Sequence, residues 1–457
     1  MSDQNSSDQL NRRKFIHRLS AASLATSLVV PTLMKASSDQ GKPAILGGSK
    51  AHPGVFPDWP IVGAVEKNGL VTTVESKRWG RLGSGSTVGK FEEEYSSELG
   101  VKHVLGVNSG TSALYTILGV LDIGPGDEVI IPVYTFVATY NVVALNYALP
   151  IMIDTDPESF QIDASKIEKA ITKNTRAIVP VHIGGSPVDL DKILAIGRKH
   201  NIPVIEDACQ AHLAEWKGKK VGSYGLAGAF SFQSSKNLNS GEGGAVSTND
   251  ETFAKACYDF HNQGRNIAAS GFSSIGSSGT RGSNLRMTEF QGSILRSQMT
   301  RVREQTQKRW ENAQYLNKML GEIPGILPAK LYEGTTMSAY HLYMFRYDSR
   351  QFGGLSREKF LKALTAEGIP NSPGYGQMNR EDYVVRLTQN RHYQRLYGEK
   401  RMKDWVEQNH CPQNDHLTQN ESVWLFQTML LGSRQEMEQI VEAVLKIRKH
   451  ADQIAKI

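Results

Sequence analysis

The chain is poor in cysteine. Three occur in 457 residues, Cys209, Cys257 and Cys411, far apart in the sequence. No CxxC pair exists, so neither a zinc knuckle nor a disulfide framework is indicated, and no metal is expected. Each thiol is read as a small buried apolar group. The chain also lacks a basic stripe interleaved with aromatics, and its formal net charge is only +6. That argues against a nucleic-acid partner. It lacks an uninterrupted apolar run long enough to span a bilayer. What remains is 39% apolar and 21% charged, an ordinary soluble composition with room for about two to three domains.

The first forty residues differ from the rest. MSDQNSSDQL is polar, NRRKFIH carries the paired Arg12 and Arg13, and LSAASLATSLVVPTLM is moderately apolar but broken by serines and Pro31. This order reads as an export signal of the twin-arginine type, with a cytoplasmic protein as the alternative. Residues 1–40 are set apart on that ground. From Gly41 to about Pro60 the chain is rich in Gly and Pro and is expected to wrap a surface.

Beyond Glu75 short apolar runs alternate with helical periods. VKHVLGV (101–107), EVIIPV (128–133), LPIMID (149–154), AIVPVHI (177–183), IPVIEDA (202–208), AGAFSF (227–232) and GAVST (244–248) read as buried strands. Residues 111–121 and 189–200 read as helices between them. Such alternation predicts an α/β fold with a mostly parallel, doubly wound sheet. A long charged helix is expected from Glu289 to Leu320. Beyond Pro324 the pattern changes to YHLYMFRYD (340–348) and helices at 356–368 and 434–451. The division expected is a large domain at 41–325 and a smaller α+β domain at 326–457. SGFSSIGSSG (270–279) reads as a flexible loop.

Four stretches point to one chemistry. In NSGTSAL (108–114) a strand ends, a glycine turns the chain and an apolar helix starts; its first N–H groups, with the Thr111 and Ser112 hydroxyls, would hold an anion. In IEDACQAH (205–212) Asp207 stands at a strand's end, the ligand edge of an open α/β sheet. A carboxylate buried there needs a cation or a strong donor, and a protonated pyridine nitrogen is one. Glu206 points the other way and is read as structural or solvated. In FSFQSSKNLNSGEGGAV (230–246) Lys236 follows a strand among small polar residues, with Ser231 before it and Gly241, Gly243 and Gly244 returning the chain. A lysine in a dry pocket has a lowered pKa and can form a Schiff base. In PVYTFVAT (132–139) Phe136 could stack on a flat ring. Together they describe a phosphorylated aromatic aldehyde, pyridoxal 5'-phosphate: phosphate at the helix start, ring nitrogen on the acid, aldehyde on the lysine.

The chain resembles the DegT-type sugar aminotransferases. The resemblance runs from about Gly41 to the C-terminus and rests on GTSAL, GPGDEVIIPVYTFVAT, DTDPESFQID, AIVPVHIGG, PVIEDACQAH, the Lys236 stretch and SNLRMTEFQGSILRSQ. FPDWP, SNLRMTEF and CPQNDHLTQNESVWLFQTMLL resemble the branch of 3-amino-5-hydroxybenzoate synthase and the glutamine:scyllo-inosose aminotransferases. The resemblance implies the fold-type I architecture, a large doubly wound mixed-sheet domain with a smaller C-terminal α+β domain. It implies Lys236 as the Schiff-base lysine, Asp207 on the ring nitrogen, Gln210 beside the ring, and Phe136 stacked on it. Gly110, Thr111, Ser112 and Ser231 would bind phosphate. Asn284 would reach the cofactor of a neighbouring subunit, making a homodimer with shared active sites. Arg286 is a weaker candidate for contacting the substrate, and His341 and Tyr343 in YHLYMF are read either as lining the substrate side or as core.

The expected reaction moves an amino group from glutamate or glutamine to a keto-sugar or keto-cyclitol in a ping-pong cycle. A dehydratase or aromatising lyase is the alternative, and a non-catalytic binding protein on the same scaffold a third. Three local features differ from the family pattern or mimic another motif. Gln233–Ser234–Ser235 replace an aromatic–Pro–Thr run, and Leu213 stands where a glycine is common and is expected to narrow the pocket. LGSGSTVGKF (82–91) is a near miss to a phosphate loop and is expected to be a loop near the active site. His182 and His212 are read as orienting neighbours rather than reacting.

Overall fold

The computed structural model describes residues 41–82, 85–266 and 280–457. The expected export segment and the serine-rich stretch 270–279 lie outside those residues. Among them no helix is long and apolar enough to cross a membrane.

Seven strands build the frame: β1 (His103–Val107), β2 (Glu128–Pro132), β3 (Leu149–Ile153), β4 (Thr175–Ile178), β5 (Ile205–Asp207), β6 (Ala227–Ser231) and β7 (Gly244–Thr248). They are the seven runs read from the sequence, trimmed at their ends. β2, β3, β6 and β7 are buried along their whole length, as strands covered on both faces are. One group runs β1-β7-β6-β5 and the other β3-β2-β4. Parallel bridges Ile178–Val204 and Val181–Asp207 join β4 to β5. β7 is antiparallel to both neighbours; the other pairs are parallel. The sheet is therefore mixed. Because β7 runs backwards, its first residue Gly244 pairs with the last residues of β1 and β6, Val107 and Ser231. The ends that carry functional side chains thus share one edge.

Helices α1 (Ala64–Glu75), α2 (Thr87–Leu99), α3 (Gly110–Val120) and α4 (Val137–Leu145) precede the long α5 (Glu289–Gly321). α2 corrects one expectation. Ser86 caps it by accepting from Gly89 N–H, and Val88 and Phe91 are fully buried. From Thr87 onward the near-miss phosphate loop is a core helix and does not line the active-site cavity.

The 33 residues of α5 span about 50 Å and serve two apolar clusters. Leu295 and Val302 join the cluster around the sheet. Leu316 and Leu320 join a second, with Phe345, Phe360, Ile440 and Val444. The second cluster packs on an antiparallel sheet of β8 (Ile326–Pro328), β9 (Leu342–Tyr347) and β10 (Ser422–Phe426) and on the helices α7 (Arg434–Lys449) and 357–366. Between β9 and β10 the chain returns to the first cluster through α6 (Arg391–Gln408). Tyr393 donates to the carbonyls of Ala144 and Ala148 at 3.1 and 3.0 Å, and Trp405 Nε1 to Pro150 O at 2.8 Å.

Candidate active site

The ends of β1, β5 and β6 open on one cavity of about 930 Å³. Gly110, Thr111, Phe136, Asp207, Gln210, Ser231 and Lys236 all line it.

The Lys236 loop is folded by its own backbone. Ser234 N–H donates to Gly241 O and Ser240 N–H to Phe232 O, both at 2.9 Å. Gly241 closes the turn at φ 85°, a conformation that costs a side-chain-bearing residue free energy. Burial lowers the Lys236 pKa and is the largest cause; Cys209 and Asp207 act in the opposite sense. Taking the amine out of water favours its neutral form, the form that attacks a carbonyl.

Asp207 ends β5 and is 3% exposed. Thr139 Oγ1 donates to its Oδ2 at 2.9 Å and Cys209 N–H to its Oδ1 at 3.2 Å. No ion pair reaches it among the described residues. Its neighbour Glu206 is buried, not solvated. It accepts from Gly222, Tyr224 and Gly225 N–H at 2.7, 2.7 and 2.9 Å and meets His182 Nε2 at 3.1 Å. Val188 N–H donates to His182 Nδ1, so Nε2 carries the proton that Glu206 receives.

α3 starts where β1 stops. Ser109 caps it by accepting from Ser112 N–H. The first N–H groups of a helix have no intrahelical acceptor, and Gly110 and Thr111 stand at that start on the cavity wall. A Cβ on Gly110 would lie 2.6 Å from Ser231 Cβ and 2.9 Å from Cys209 Sγ. Only glycine lets the helix start approach the end of β6 this closely. Phe136 is 55% exposed, a large aromatic face turned to the cavity. Gln210 is held at both ends: Gly184 N–H donates to its Oε1 at 2.8 Å, and its Nε2 donates to the Tyr375 hydroxyl at 2.9 Å.

Four expected residues stand elsewhere. Ser112 turns its hydroxyl to Asn108 Oδ1 at 2.6 Å and completes the cap. Asn284 is exposed and bridges to Asn262. Arg286 Nη1 donates to Asn262 Oδ1 at 2.8 Å. Tyr343 is fully buried in the second apolar cluster, packed on Tyr340 and Phe345. Its place on β9 points inward, while His341, two residues earlier, lines the cavity. Leu213 does not narrow the cavity. It is core, at φ 63°, which explains why a glycine suits that position.

The far wall is built of residues to which no sequence motif gives a role. It consists of Trp59, Tyr375, Trp424, Phe426 and Gln427, with Thr139 and Cys209 deeper in. Tyr375 meets Trp424 edge-on at 4.5 Å between centroids. Trp424 and Phe426 alternate on β10 and so share a face; that spacing was the available signal.

The profile of the DegT/DnrJ/EryC1/StrS aminotransferase family matches residues 63–425. The chain belongs to this family. The L-glutamine:2-deoxy-scyllo-inosose aminotransferase of Streptoalloteichus tenebrarius is 34% identical, over 89% of this chain and 97% of that protein. The 3-amino-5-hydroxybenzoate synthase of Amycolatopsis mediterranei is 32% identical, over 85% and 96%. A crystal structure of 3-amino-5-hydroxybenzoic acid synthase superposes with a TM-score of 0.75 at 31% identity, covering 88% of this chain and 99% of that one. The protein is an aminotransferase, and the family's cofactor is pyridoxal phosphate.

The residues present fit that cofactor. Lys236 offers a desolvated amine. Asp207 is a buried carboxylate without an ion-pair partner among the described residues, an arrangement that is costly unless a cation completes it. The glycine-start helix offers oxyanion donors, and Phe136 an exposed ring face.

Proposed function

We propose that this aminotransferase moves an amino group from glutamine or glutamate to a keto-cyclitol or keto-sugar, in two half-reactions at one site. The observation that carries the reading is the sharing of one cavity by Lys236, Asp207 and the start of α3. The printed activity of the scyllo-inosose relative supports the donor and acceptor classes.

When bound, pyridoxal phosphate supplies the electron sink that stabilises negative charge at the donor's α-carbon. Gly110, Thr111 and Ser231 hold its phosphate, Phe136 covers its ring, and Asp207, fixed by Thr139 and the Cys209 N–H, keeps its ring nitrogen protonated. Gln210 stands at the ring's edge, fixed by Gly184 and Tyr375. Lys236 Nζ accepts the donor's α-proton, and burial, which lowers its pKa, favours the neutral form that can do so.

The test is spectral. Purified protein loaded with the cofactor absorbs in the near-visible, and Lys236→Ala does not retain that signal through dialysis. L-Glutamine or L-glutamate bleaches the wild-type band, and a keto-cyclitol restores it. A protein that no amino donor bleaches, yet that consumes an aminocyclitol, is a lyase and sinks the reading.

The shared homodimer site belongs to the same proposal. Val71 and Val74, which share one side of α1, and Trp79 just after it stay exposed, an apolar surface that a second copy would cover. Asn284 is exposed and off its own cavity, where it can reach a partner's. The division into domains 41–325 and 326–457 belongs to the same proposal; the two apolar clusters favour two parts but cross that boundary, Leu316 and Leu320 joining the second and Tyr393 and Trp405 the first. Export of the folded enzyme by a twin-arginine route is supported by Arg12–Arg13 and the apolar run after them; fusing residues 1–40 to a reporter and locating it tests that point.

A further inference from the structure

The amide of Gln210 has a fixed direction. Gly184 N–H donates to its Oε1 at 2.8 Å, so its other end is the Nε2 donor. That donor meets the Tyr375 hydroxyl at 2.9 Å. The phenol oxygen therefore accepts, and its own proton points elsewhere. No acceptor for that proton stands among the described residues. Asp207 and Cys209 are near enough to act on the hydroxyl, but the Asp207 oxygens take their hydrogen bonds from Thr139 and the Cys209 N–H. Burial pushes the Tyr375 pKa up and outweighs the Gln210 hydrogen bond, which lowers it. The group is an O–H donor throughout the neutral range.

The donor is also held in place. Ser372 and Trp424 exchange backbone hydrogen bonds at 3.0 and 2.8 Å. Gly374, at φ 90°, lets the loop lie against the wall: a Cβ there would be 2.6 Å from the Tyr134 hydroxyl and 3.0 Å from Trp424 Nε1. The Tyr375 ring then meets Trp424 and Tyr134 edge-on, with centroids 4.5 and 5.5 Å away. A donor fixed beforehand loses little freedom when a ligand arrives. Around it Trp59, Trp424 and Phe426 line the same cavity. Apolar faces with a few placed polar groups are how a pocket orients a small ligand.

We propose that Tyr375 is a specificity-determining residue for the keto acceptor: its hydroxyl donates to a hydroxyl oxygen on the acceptor ring, while the aromatic wall takes the ring's C–H face. The inference rests on the aminotransferase reading and narrows its acceptor to a hydroxylated ring. A hydroxyl oxygen offers the donor a lone pair; a methylene has none, and neither has an ammonium. The preference is set by hydrogen-bond direction, passed from Gly184 through Gln210, and not by cavity volume.

The experiment compares two acceptors on two proteins. Wild type and Tyr375→Phe are loaded with cofactor and bleached with L-glutamine or L-glutamate. Each is then mixed with a polyhydroxylated keto-cyclitol or with cyclohexanone. The return of the near-visible band is followed at low acceptor concentration. A hydrogen bond between neutral groups is worth roughly 3- to 10-fold. Wild type should prefer the polyol, and Tyr375→Phe should lower that preference by this factor. Any loosening of Gln210 in the variant reaches both acceptors alike and cancels in the ratio. An unchanged ratio overturns the proposal and leaves the hydroxyl to Gln210 alone. Calorimetry with inositol, which has the hydroxyls but no ketone, reads the same subsite without turnover. Tyr375→Phe should bind it more weakly by the same factor. Equal affinity, or a wild type that neither binds inositol nor prefers the polyol, also overturns the proposal. A wild type that binds inositol but that no amino donor bleaches keeps the subsite and sinks the aminotransferase reading alone.

Discussion

Gly110→Ala should break cofactor binding by geometry alone. The added methyl would sit 2.6 Å from Ser231 Cβ and 2.9 Å from Cys209 Sγ. Carbon atoms rest about 3.5–4.0 Å apart, so the Ser231 contact is short by about 1 Å. Ser231 Cβ is fixed to the end of β6, which pairs with β7 through Ser231–Gly244, and it cannot swing away. The start of α3 must retreat by a similar distance. Overpacking of this kind costs about 1–3 kcal/mol of stability. The retreat also carries the Gly110 and Thr111 N–H groups away from the anion they would hold, and a 1 Å misplacement can cost about 100-fold. Titrating the unloaded protein with pyridoxal phosphate by absorbance measures the second effect, and a thermal melt the first. Gly80→Ala is the control, since a Cβ there meets nothing within 4 Å. Gly110→Ala binding the cofactor within twofold of wild type, at an unchanged melting temperature, would show that the helix start does not cradle the phosphate.

Three further outcomes are expected. Unloaded Lys236→Met should be more stable than unloaded wild type at neutral pH: the Lys236 pKa is lowered by burial, so the unfolded chain holds more protons and wild-type stability rises with pH towards the ordinary lysine value. Parallel melts from pH 7 to 10 should show the gap narrowing, and a gap that widens contradicts the assignment. Glu206→Ala should cost about 3 kcal/mol or more by leaving His182 and the N–H groups of Gly222, Tyr224 and Gly225, one buried and two part-buried, without their acceptor; burial, the largest single cause, raises the Glu206 pKa, but the His182, Gly225 and Gly222 interactions together outweigh it and hold it down, so the wild-type contribution is present above about pH 4.3 and lost as pH falls through the lowered value, which acid denaturation of the two proteins checks. If the proposed homodimer shares its sites, mixing Lys236→Ala with Asn284→Ala subunits after partial unfolding should restore activity that neither has alone, because one of its two sites then carries both native residues; no recovery, with mixed dimers shown to form, places Asn284 outside the site.

The end of the site at the start of α3 was legible because it is local. Strand, glycine and helix start lie within NSGTSAL, and the alternation of apolar runs puts Ser109, Asp207 and Ser231 at ends of buried strands. Lys236 was legible for the opposite reason: its neighbours Ser234, Ser235 and Asn237 make no amphipathic face, so a surface role did not explain it. Helix α6 was not legible. RHYQRLYGEKRMKDW has no clean apolar period, and Gly398 breaks the helix at φ 77°. It is a helix because Tyr393 and Trp405 find carbonyl acceptors on a distant strand and helix, contacts that no local pattern encodes. Helix α2 was hidden by glycines and serines at its start, whose meaning changes once Ser86 is seen to be a cap.

The far wall of the cavity follows a different logic from the side that carries Lys236 and Asp207. Trp59, Tyr375, Trp424 and Gln427 come from three separate stretches, and none is a functional residue type in isolation. What assembles them is the return of the chain from the second apolar cluster: Ser372 pairs with Trp424 through backbone bonds in both directions, which fixes the Tyr375 loop beside β10. Tyr375 in turn fixes Gln210 in the cradle. The far wall is therefore joined to the side that carries Asp207 and Lys236 by the Gln210–Tyr375 amide–phenol hydrogen bond, and by Gln427 Nε2 donating to Ser235 O. A change of acceptor preference by substitution in 370–380 should for that reason also disturb Gln210, and variants that keep the Tyr375 hydroxyl are the ones in which specificity can be altered without loosening the cofactor.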